Sequence, residues 1–473
     1  MASTDLLPKI AFLGLGAMGL CMSTHMYRSG FPLTGYDIWK PTLEKFKAQC
    51  ATIAKESNIS TPVKTASSPR DAVKGAEVVV LMVATHYHIE SALFDKDVGA
   101  VYGLEKCCAL IIAATVPPMY PLSVRKKLDE EFGRADVALV DAPVSGGTAR
   151  AVDGTLTIMA SADVPESLKR KDVKVVLDAL AGNLSIIPGG LGSGTATKAL
   201  NQVCCGIHIT ASSEIMGLAA VLGLDTKKFY EYQIQQDGER KRQGWSWMFE
   251  NRGARMLQKE PPMASATAII VKDVGIIMDE TKRLSIDLPM VGASATGLKE
   301  AMDAGMSAED DSCVVKIYLE KAQQQTDLVQ QRVGNSALSP DKDDDLMKIL
   351  CRAHACIHVA SAYETVVFSE ALNMSSDKQR EQWYDIISGA AGGSTMFYEV
   401  VPAIFETRKY EDGIREYLGS QKLVRMQRSN HPCGETNESL QDQIEALALS
   451  AQEKGFEPSL LKLALGICRK YTD

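Results

Sequence analysis

The sequence predicts an α/β fold, with a doubly wound domain of the Rossmann type followed by all-α domains in which one helical domain is duplicated. Short, nearly continuous apolar runs alternate with helical patterns over roughly the first 190 residues, as is typical of buried parallel strands. After Gly194 the apolar positions recur with a helical period to the end of the chain. A similar segment then occurs twice, on either side of a turn-rich, acidic stretch at residues 333–345.

The strands are predicted from β-rich apolar runs that are bounded by turn residues. A glycine-rich turn and a helix over residues 19–29 follow the first run, and a long helix over residues 197–224 opens the all-α region. The predicted strands are residues 9–13, 33–36, 77–82, 109–113, 138–141 and 155–160.

The internal repeat is carried by two segments that lie 150 positions apart. Residues 198–209 read KALNQVCCGIHI, residues 348–359 read KILCRAHACIHV, and the same offset relates Glu214 to Glu364. Two unrelated amphipathic helices that share a pattern by chance are the alternative. The repeat predicts a Rossmann domain at 1–190, a helical substrate and dimerisation domain at 191–332, and a second, degenerate helical domain at 333–473.

Charge and composition exclude several classes of partner. The 473 residues carry 51 Lys and Arg against 59 Asp and Glu, a net charge of −8, whereas nucleic acids and anionic membranes select basic surfaces. No stretch is expected to reach the roughly 18 uncharged apolar residues of a membrane helix. The eight residues before the first strand are too short for a signal or transit peptide, and the eleven cysteines include no CxxC pair. A cytoplasmic protein with reduced thiols is therefore expected.

A glycine-rich turn after the first strand has the pattern GxGxxG of dinucleotide-binding sites. In such a turn the first glycine permits the tight bend, the second lets a pyrophosphate approach the backbone, and the third allows close helix–strand packing. Asp37 follows 23 residues after Gly14, where a carboxylate accepts hydrogen bonds from a ribose 2′-OH and repels a 2′-phosphate. NAD is therefore favoured over NADP, and a turn without a ligand is the alternative. The six residues of the turn are Gly14, Leu15, Gly16, Ala17, Met18 and Gly19.

Three further motifs are candidates for a substrate site. Residues 141–147 read DAPVSGG, and the backbone N–H groups of such a loop can converge on a carboxylate, although a plain loop has the same composition. Lys198 and Gln202 lie one helical turn apart with Asn201 beside them, so that together they can hold a hydroxyl, and a solvated surface lysine is the alternative. Lys272 precedes Asp273, either to reach a cofactor or to form a helix-surface ion pair.

A metal site is not expected. His86 and His88 alternate as on a strand face, but no third and fourth ligands lie near them in the sequence.

In this order, the four motifs resemble the β-hydroxyacid dehydrogenase family over residues 9–318, and within it the L-threonate dehydrogenase branch. The resemblance implies that Lys198 is the catalytic lysine and that Gln202 stands where most members carry Asn. It implies a substrate-carboxylate loop at Ser145, Gly146 and Gly147, with Asn201 and Gln202 also at the substrate. It implies NAD contacts from the glycine turn, Asp37, Val83, Thr115 and Lys272, with Thr115 beside the nicotinamide ribose.

The expected activity is NAD-dependent oxidation of a small 3-hydroxy acid, by hydride transfer with Lys198 as general acid and base. The substrate would be threonate, another sugar acid or a 3-hydroxyisobutyrate-like acid. A reductase of a semialdehyde or an imine, and a non-catalytic NAD-binding scaffold protein, are the alternatives. The protein is expected to be a homodimer or a monomer in which the second helical repeat replaces the partner subunit.

Overall fold

The computed structural model describes residues 7–238, 240–407, 410–419 and 440–472. The chain divides into two compact units, the first formed by Met1–Ala199 and Asp377–Gln382 and the second by Leu200–Ser376 and Trp383–Asp473. The second unit therefore contains most of both helical repeats. The limits of the three domains drawn from the sequence stay a prediction.

The first unit alternates short strands and helices. Its strands are β1 (Ile10–Leu13), β2 (Leu33–Tyr36), β3 (Val63–Thr65), β4 (Val78–Leu81), β5 (Ala109–Ile112), β6 (Ala138–Asp141), β7 (Val144–Ser145), β8 (Leu156–Ala162) and β9 (Ala181–Ile186). Its helices are α1 (Ala17–Arg28), α2 (Lys40–Glu56), α3 (Pro69–Ala72), α4 (His86–Phe94), α5 (Tyr120–Glu130), α6 (Gly147–Asp153), α7 (Pro165–Lys169) and α8 (Lys171–Leu180), with a 3-10 turn at Ala100–Tyr102.

The strands form one sheet in the order β3-β2-β1-β4-β5-β6-β8-β7, with β9 paired to β8. The pairs from β3 to β6 are parallel, and β8 runs antiparallel to β6 and to β7. After β3 the chain returns to the other side of β1 to form β4, so the strand order reverses beside β1. In open α/β sheets, ligands bind at the carboxyl ends of the strands at such a reversal. The predicted Rossmann-type fold is confirmed.

Alternate residues of each central strand enter different cores, which explains why the strands read as continuous apolar runs. In β1, Ile10 and Phe12 join one buried cluster, and Ala11 and Leu13 join another. The six predicted strands are present to within two residues, whereas β3, β7 and β9 were not predicted.

The predicted strand face at His86 and His88 is wrong, because a helix begins there. Thr85 caps this helix, α4, with its hydroxyl accepting a hydrogen bond from the His88 N–H at 3.4 Å.

In its described residues, the second unit is helical apart from a two-stranded ribbon. Its elements are α9 (Ser193–Leu222), which enters from the first unit, α10 (Thr226–Ile234), β10 (Gln236–Asp237), β11 (Arg240–Lys241), α11 (Trp247–Met256), α12 (Thr267–Leu284), α13 (Pro289–Asp303), α14 (Val315–Lys321), α15 (Leu328–Gln331), α16 (Pro340–Ala371), α17 (Asp377–Ser388), α18 (Thr395–Glu406), α19 (Tyr410–Gly419), α20 (Leu440–Glu453) and α21 (Ser459–Thr472), with 3-10 turns at Met306–Ala308 and Asp311–Val314.

Two features of the long helices differ from expectation. Among the described helices, α9 is long and apolar enough to span a membrane by length and composition, and its most apolar 18-residue window is entirely buried. The expectation that no stretch approaches this length is therefore wrong.

The acidic end of the predicted linker at 333–345 is also helical, because α16 begins at Pro340. A proline in the first turn and acidic residues there, Asp341 and Asp343, favour a helix N-terminus.

The two helical repeats pack through contacts that come in matched pairs. Glu364 in α16 accepts hydrogen bonds from the backbone N–H groups of Met290 and Val291, which open α13. Glu214 in α9 does the same for Leu460 and Leu461, which open α21. Each repeat therefore supplies the carboxylate that caps a helix of the other repeat.

A second matched pair joins the starts of α11 and α18. The Trp247 N–H donates to the Gly393 carbonyl at 3.0 Å, and the Thr395 N–H donates to the Trp245 carbonyl at 3.1 Å. The rings of His208 and His358, which occupy equivalent positions in the repeats, pack with their centroids 4.4 Å apart. These reciprocal contacts relate the two repeats by an approximate two-fold axis.

Candidate active site

The glycine turn between β1 and α1 has the geometry that its pattern predicts. Gly14 takes a φ of +95°, and a Cβ atom there would lie 2.3 Å from the Met82 carbonyl oxygen and 2.7 Å from Val83 Cγ1. A Cβ atom on Gly19 would lie 2.0 Å from the Gly14 carbonyl oxygen, so both positions require glycine. A Cβ atom on Gly16 would meet nothing within 4 Å. The backbone at Gly16 is therefore open to a pyrophosphate.

Asp37 lies at the carboxyl end of β2 and binds this turn. Its Oδ2 atom accepts a hydrogen bond from the Leu15 N–H at 2.7 Å, and its Oδ1 atom accepts one from the Trp39 N–H at 2.8 Å. Each carboxylate oxygen has a further lone pair for a ribose hydroxyl. Val83 and Thr115 follow the carboxyl ends of β4 and β5. The open glycine turn and the tethered carboxylate fit a dinucleotide such as NAD.

The predicted carboxylate loop follows β6. Ser145 is buried in β7 and pairs with Thr157 of β8. Gly146 and Gly147 both take positive φ values, +136° and +70°, which glycine adopts at little cost. The roles of these three residues toward a substrate stay a prediction.

Asp141, for which no sequence motif indicates a role, connects this loop to the helix that carries the predicted catalytic lysine. Its fully buried carboxylate accepts hydrogen bonds from the Thr195 N–H at 2.8 Å, from the Thr195 hydroxyl, and from the Ser161 hydroxyl at 3.1 Å. Burial raises the pKa of Asp141 to about 6, against the opposing effect of these donors. The first turn of α9 is thereby fixed to the end of β6, four residues before Ser145. No local sequence pattern indicates this bond, because its partners lie 54 residues apart.

Lys198 lies on α9, one turn after Thr195, and is only 6% exposed. The alternative of a solvated surface lysine is therefore excluded. The equivalent Lys348 of the second repeat has a side chain that is 50% exposed and pairs with Asp345 at 3.4 Å. The two lysines thus occupy different environments despite their equivalent places in the repeat.

Within the second unit, Asn201 and Gln202 belong to a buried chain of hydrogen bonds. The Gly392 N–H donates to Asn201 Oδ1 at 3.1 Å, and Asn201 Nδ2 donates to Gln202 Oε1 at 2.9 Å. Gln202 Nε2 donates in turn to Asp273 Oδ2. Asp273 also forms an ion pair with Lys272, whose Nζ lies 3.0 Å from its Oδ1. The ion pair is thus present. Asp273 joins Lys272 to Gln202, a link that the Lys-Asp doublet in the sequence could only suggest.

Three histidines are buried away from these residues, in contact with one another. The rings of His354 and His358 pack at 4.1 Å, beside His208. Burial lowers the pKa of His208 to about 3 and holds the pKa values of His354 and His358 well below their ordinary range. They form part of the helical core.

Comparison with known proteins places this geometry in a family. Residues 9–189 match the family model described as the NAD binding domain of 6-phosphogluconate dehydrogenase, and residues 192–318 match the model described as NAD-binding of NADP-dependent 3-hydroxyisobutyrate dehydrogenase. L-threonate dehydrogenase of Cupriavidus necator is 31% identical over 310 residues, which are 66% of this chain and 96% of that relative. The chain belongs to the β-hydroxyacid dehydrogenase family.

Other relatives agree with this assignment. The NAD-dependent L-serine dehydrogenase of Pseudomonas aeruginosa is 26% identical over 66% of this chain and 97% of its own length. The crystal structure of 3-hydroxyisobutyrate dehydrogenase from Salmonella typhimurium is 28% identical and has a TM-score of 0.55, over 66% of this chain and all of its own. The family member described here is therefore an oxidoreductase that acts on the CH–OH group of hydroxy acids with NAD as cofactor.

The second repeat is shared with a different solved structure. Plasmodium falciparum 6-phosphogluconate dehydrogenase covers 99% of this chain and 93% of its own, with a TM-score of 0.60 and 15% identity. At this identity the likeness concerns the fold alone. It shows that the arrangement of a Rossmann-type domain followed by a long helical region, repeat included, has a structural precedent.

Proposed function

We propose that this chain oxidises a small 3-hydroxy acid with NAD, with Lys198 as the general acid and base. A four-carbon sugar acid such as threonate is the first substrate to test, because an L-threonate dehydrogenase matches the first two thirds of the chain. The burial of Lys198, on a helix whose first turn is fixed by Asp141, is the observation that carries the proposal.

The roles of the residues follow from their chemistry. Backbone N–H groups at Gly146 and Gly147, with the Ser145 hydroxyl, would bind the substrate carboxylate. Lys198 would accept the hydroxyl proton through its neutral amine. When bound, NAD supplies the acceptor for the hydride that leaves the same carbon. The product is the corresponding oxo acid, which is a keto acid from a secondary alcohol and a semialdehyde from a primary alcohol, with the hydroxyl proton held on Lys198 Nζ.

Two neighbours of Lys198 on α9, Asn201 and Gln202, support the proposed role of the lysine. Asn201 and Gln202 are buried and hydrogen bonded, so their amides are held in fixed orientations. A fixed amide beside a hydroxyl can stabilise the charge that develops on its oxygen as the proton leaves. Glutamine is one methylene longer than the asparagine found in most members, which would suit a different substrate size or pose.

Lys198→Ala, with Lys348→Ala as the matched control, tests the proposal. Turnover of a panel of four-carbon sugar acids, L-serine and 3-hydroxyisobutyrate should fall by about 10²- to 10⁴-fold in Lys198→Ala, as expected for loss of a general base. Lys348→Ala should retain native turnover, since Lys348 is exposed in the second repeat. NAD affinity, measured by calorimetry, should be unchanged in both variants. Near-native turnover by Lys198→Ala would refute the role of this lysine, and no turnover of any acid by the native chain would refute the proposed reaction.

A further inference from the structure

The loop after α17, residues 389–394, brings the second repeat against Asn201 on α9. The approach has a counterpart at the equivalent place in the other repeat, where a Cβ atom on Gly244 would lie 2.4 Å from the Cys351 carbonyl oxygen and 3.0 Å from its Sγ. Cys351 stands where Asn201 stands in the first repeat, and Gly244 is the counterpart of Gly392. Both glycines approach the residue at the same place in the repeat, but only the first repeat has a carboxamide there. The repeat with the carboxamide is also the repeat that carries Lys198.

Only glycine allows the backbone to come this close to Asn201. A Cβ atom at residue 392 would lie 2.9 Å from Asn201 Oδ1 and 3.0 Å from Cys204 Cβ. Contacts of this length are tighter than side chains normally tolerate, so the carboxamide would have to move. At Gly389 a Cβ atom would lie 3.6 Å from the Asp385 carbonyl oxygen, an ordinary contact. Alanine therefore has room at residue 389, whereas at residue 392 it would displace Asn201.

The hydrogen bonds that begin at Gly392 run in one direction only. A backbone N–H can only donate, and the Asp273 carboxylate, which pairs with Lys272, accepts. Between these two ends, Asn201 must accept through Oδ1 and donate through Nδ2, and Gln202 must accept through Oε1 and donate through Nε2. Rotating the Gln202 amide by half a turn would place oxygen against carboxylate and N–H against N–H. Both bonds of Gln202 would be lost.

We propose that Gly392, in the second helical repeat, is a positioning residue that fixes the Gln202 amide with its remaining Nε2 hydrogen as a donor to the substrate hydroxyl. The inference rests on the proposed function, in which that hydroxyl loses its proton to Lys198. A donor at this oxygen stabilises the negative charge that develops as the proton leaves, whereas a carbonyl oxygen there would oppose it. The second repeat thus contributes to the site through Asn201 without touching the substrate.

Gly392→Ala tests the proposal, with Gly389→Ala as the control in the same loop. In Gly392→Ala, kcat for the hydroxy acid should fall by at least about tenfold, because small displacements of positioning groups are costly, while the affinity for NAD is unchanged. Gly389→Ala should retain native kcat. A kcat for Gly392→Ala within twofold of the native value would overturn the proposal.

Asn201→Asp separates the direction of the hydrogen bonds from packing. The ionised carboxyl still accepts from Gly392 but cannot donate to Gln202, whereas the protonated carboxyl does both and has the shape of the native amide. Burial, with the Asp273 carboxylate nearby, should raise the pKa of the introduced group. The ratio of variant to native kcat should therefore be low at pH 8.5 and rise as the pH falls toward 5.5. A ratio that does not change with pH would contradict the proposal.

Hydrogen exchange of the Gly392 amide provides a readout that needs no activity. On the native chain this amide should exchange slowly, and in Asn201→Ala it should exchange rapidly, while the amides of α21 remain protected. Rapid exchange in the native chain would overturn the proposal even if no substrate is found. If the native chain oxidises a panel acid but Gly392→Ala does so equally well, this inference fails and the proposed function stands.

Discussion

The hydrogen bonds by which Glu364 and Glu214 cap helices of the opposite repeats allow a quantitative prediction about stability. α13 begins at Pro289 without a capping side chain of its own, and the Glu364 carboxylate accepts from Met290 at 2.7 Å and from Val291 at 3.1 Å instead. Glu364→Gln keeps one acceptor oxygen and turns an NH2 group toward the other N–H. An unsatisfied buried donor costs roughly 1–3 kcal/mol. Burial raises the pKa of Glu364 to about 8, so the free energy of unfolding should fall by about that amount when it is measured above this pH, where the native carboxyl is ionised.

The matched variant in the other repeat should behave alike. Glu214 accepts from Leu460 at 3.0 Å and from Leu461 at 2.9 Å, so Glu214→Gln leaves the same kind of donor unsatisfied. At about 2–4 °C per kcal/mol for a domain of this size, either change should lower Tm by about 2–12 °C. Glu453→Gln, at the exposed end of α20, should change the free energy by less than about 0.5 kcal/mol.

Urea unfolding followed by both tryptophan fluorescence and circular dichroism measures these differences. Because each cap joins the two repeats, both probes should report one transition in all three variants, with an unchanged m value. The reasoning is refuted if Glu364→Gln has native stability. It is refuted equally if one repeat unfolds separately while the other remains folded.

Two further predictions concern other buried groups. Asp141→Asn should lower the free energy of unfolding by about 1–3 kcal/mol and should also lower kcat, because an amide cannot accept hydrogen bonds from all the donors of Thr195 and Ser161. Urea unfolding and steady-state kinetics measure the two effects. Unchanged values would exclude the role of Asp141 in fixing α9. His358 faces His208 and His354, and burial holds its pKa in the folded chain well below the ordinary value. Below about pH 6.5 the unfolded chain therefore binds a proton at this residue that the folded chain does not bind, so the free energy of unfolding decreases as the pH falls. The free energy of unfolding of His358→Leu, relative to that of the native chain, should therefore rise by up to about 1.4 kcal/mol for each pH unit below pH 6.5. Urea titrations at several pH values measure this difference, and a difference that is constant with pH would contradict the prediction.

Much of the Rossmann-type unit could be predicted because its signals are local. Buried parallel strands such as β4 and β5 have apolar residues at every position, and the glycine turn contains its own steric requirements within six residues. Where a local signal was weak the prediction failed. The edge strand β9 has a partly exposed sequence, and the alternation of His86 and His88 predicts a strand where Thr85 caps a helix.

By itself, the sequence determined the strand positions, the dinucleotide turn with Asp37, the position of Lys198 one turn before Gln202, and the repetition of a helical segment. Only the tertiary structure decided that Asp141 fixes the first turn of α9, that Glu214 and Glu364 cap helices of the opposite repeats, and that Gly392 orients Asn201. These bonds join residues that lie 54 to 247 positions apart. No local pattern encodes such a pair, because a donor and an acceptor distant in the sequence meet only after the packing of apolar helix and strand faces has placed them together.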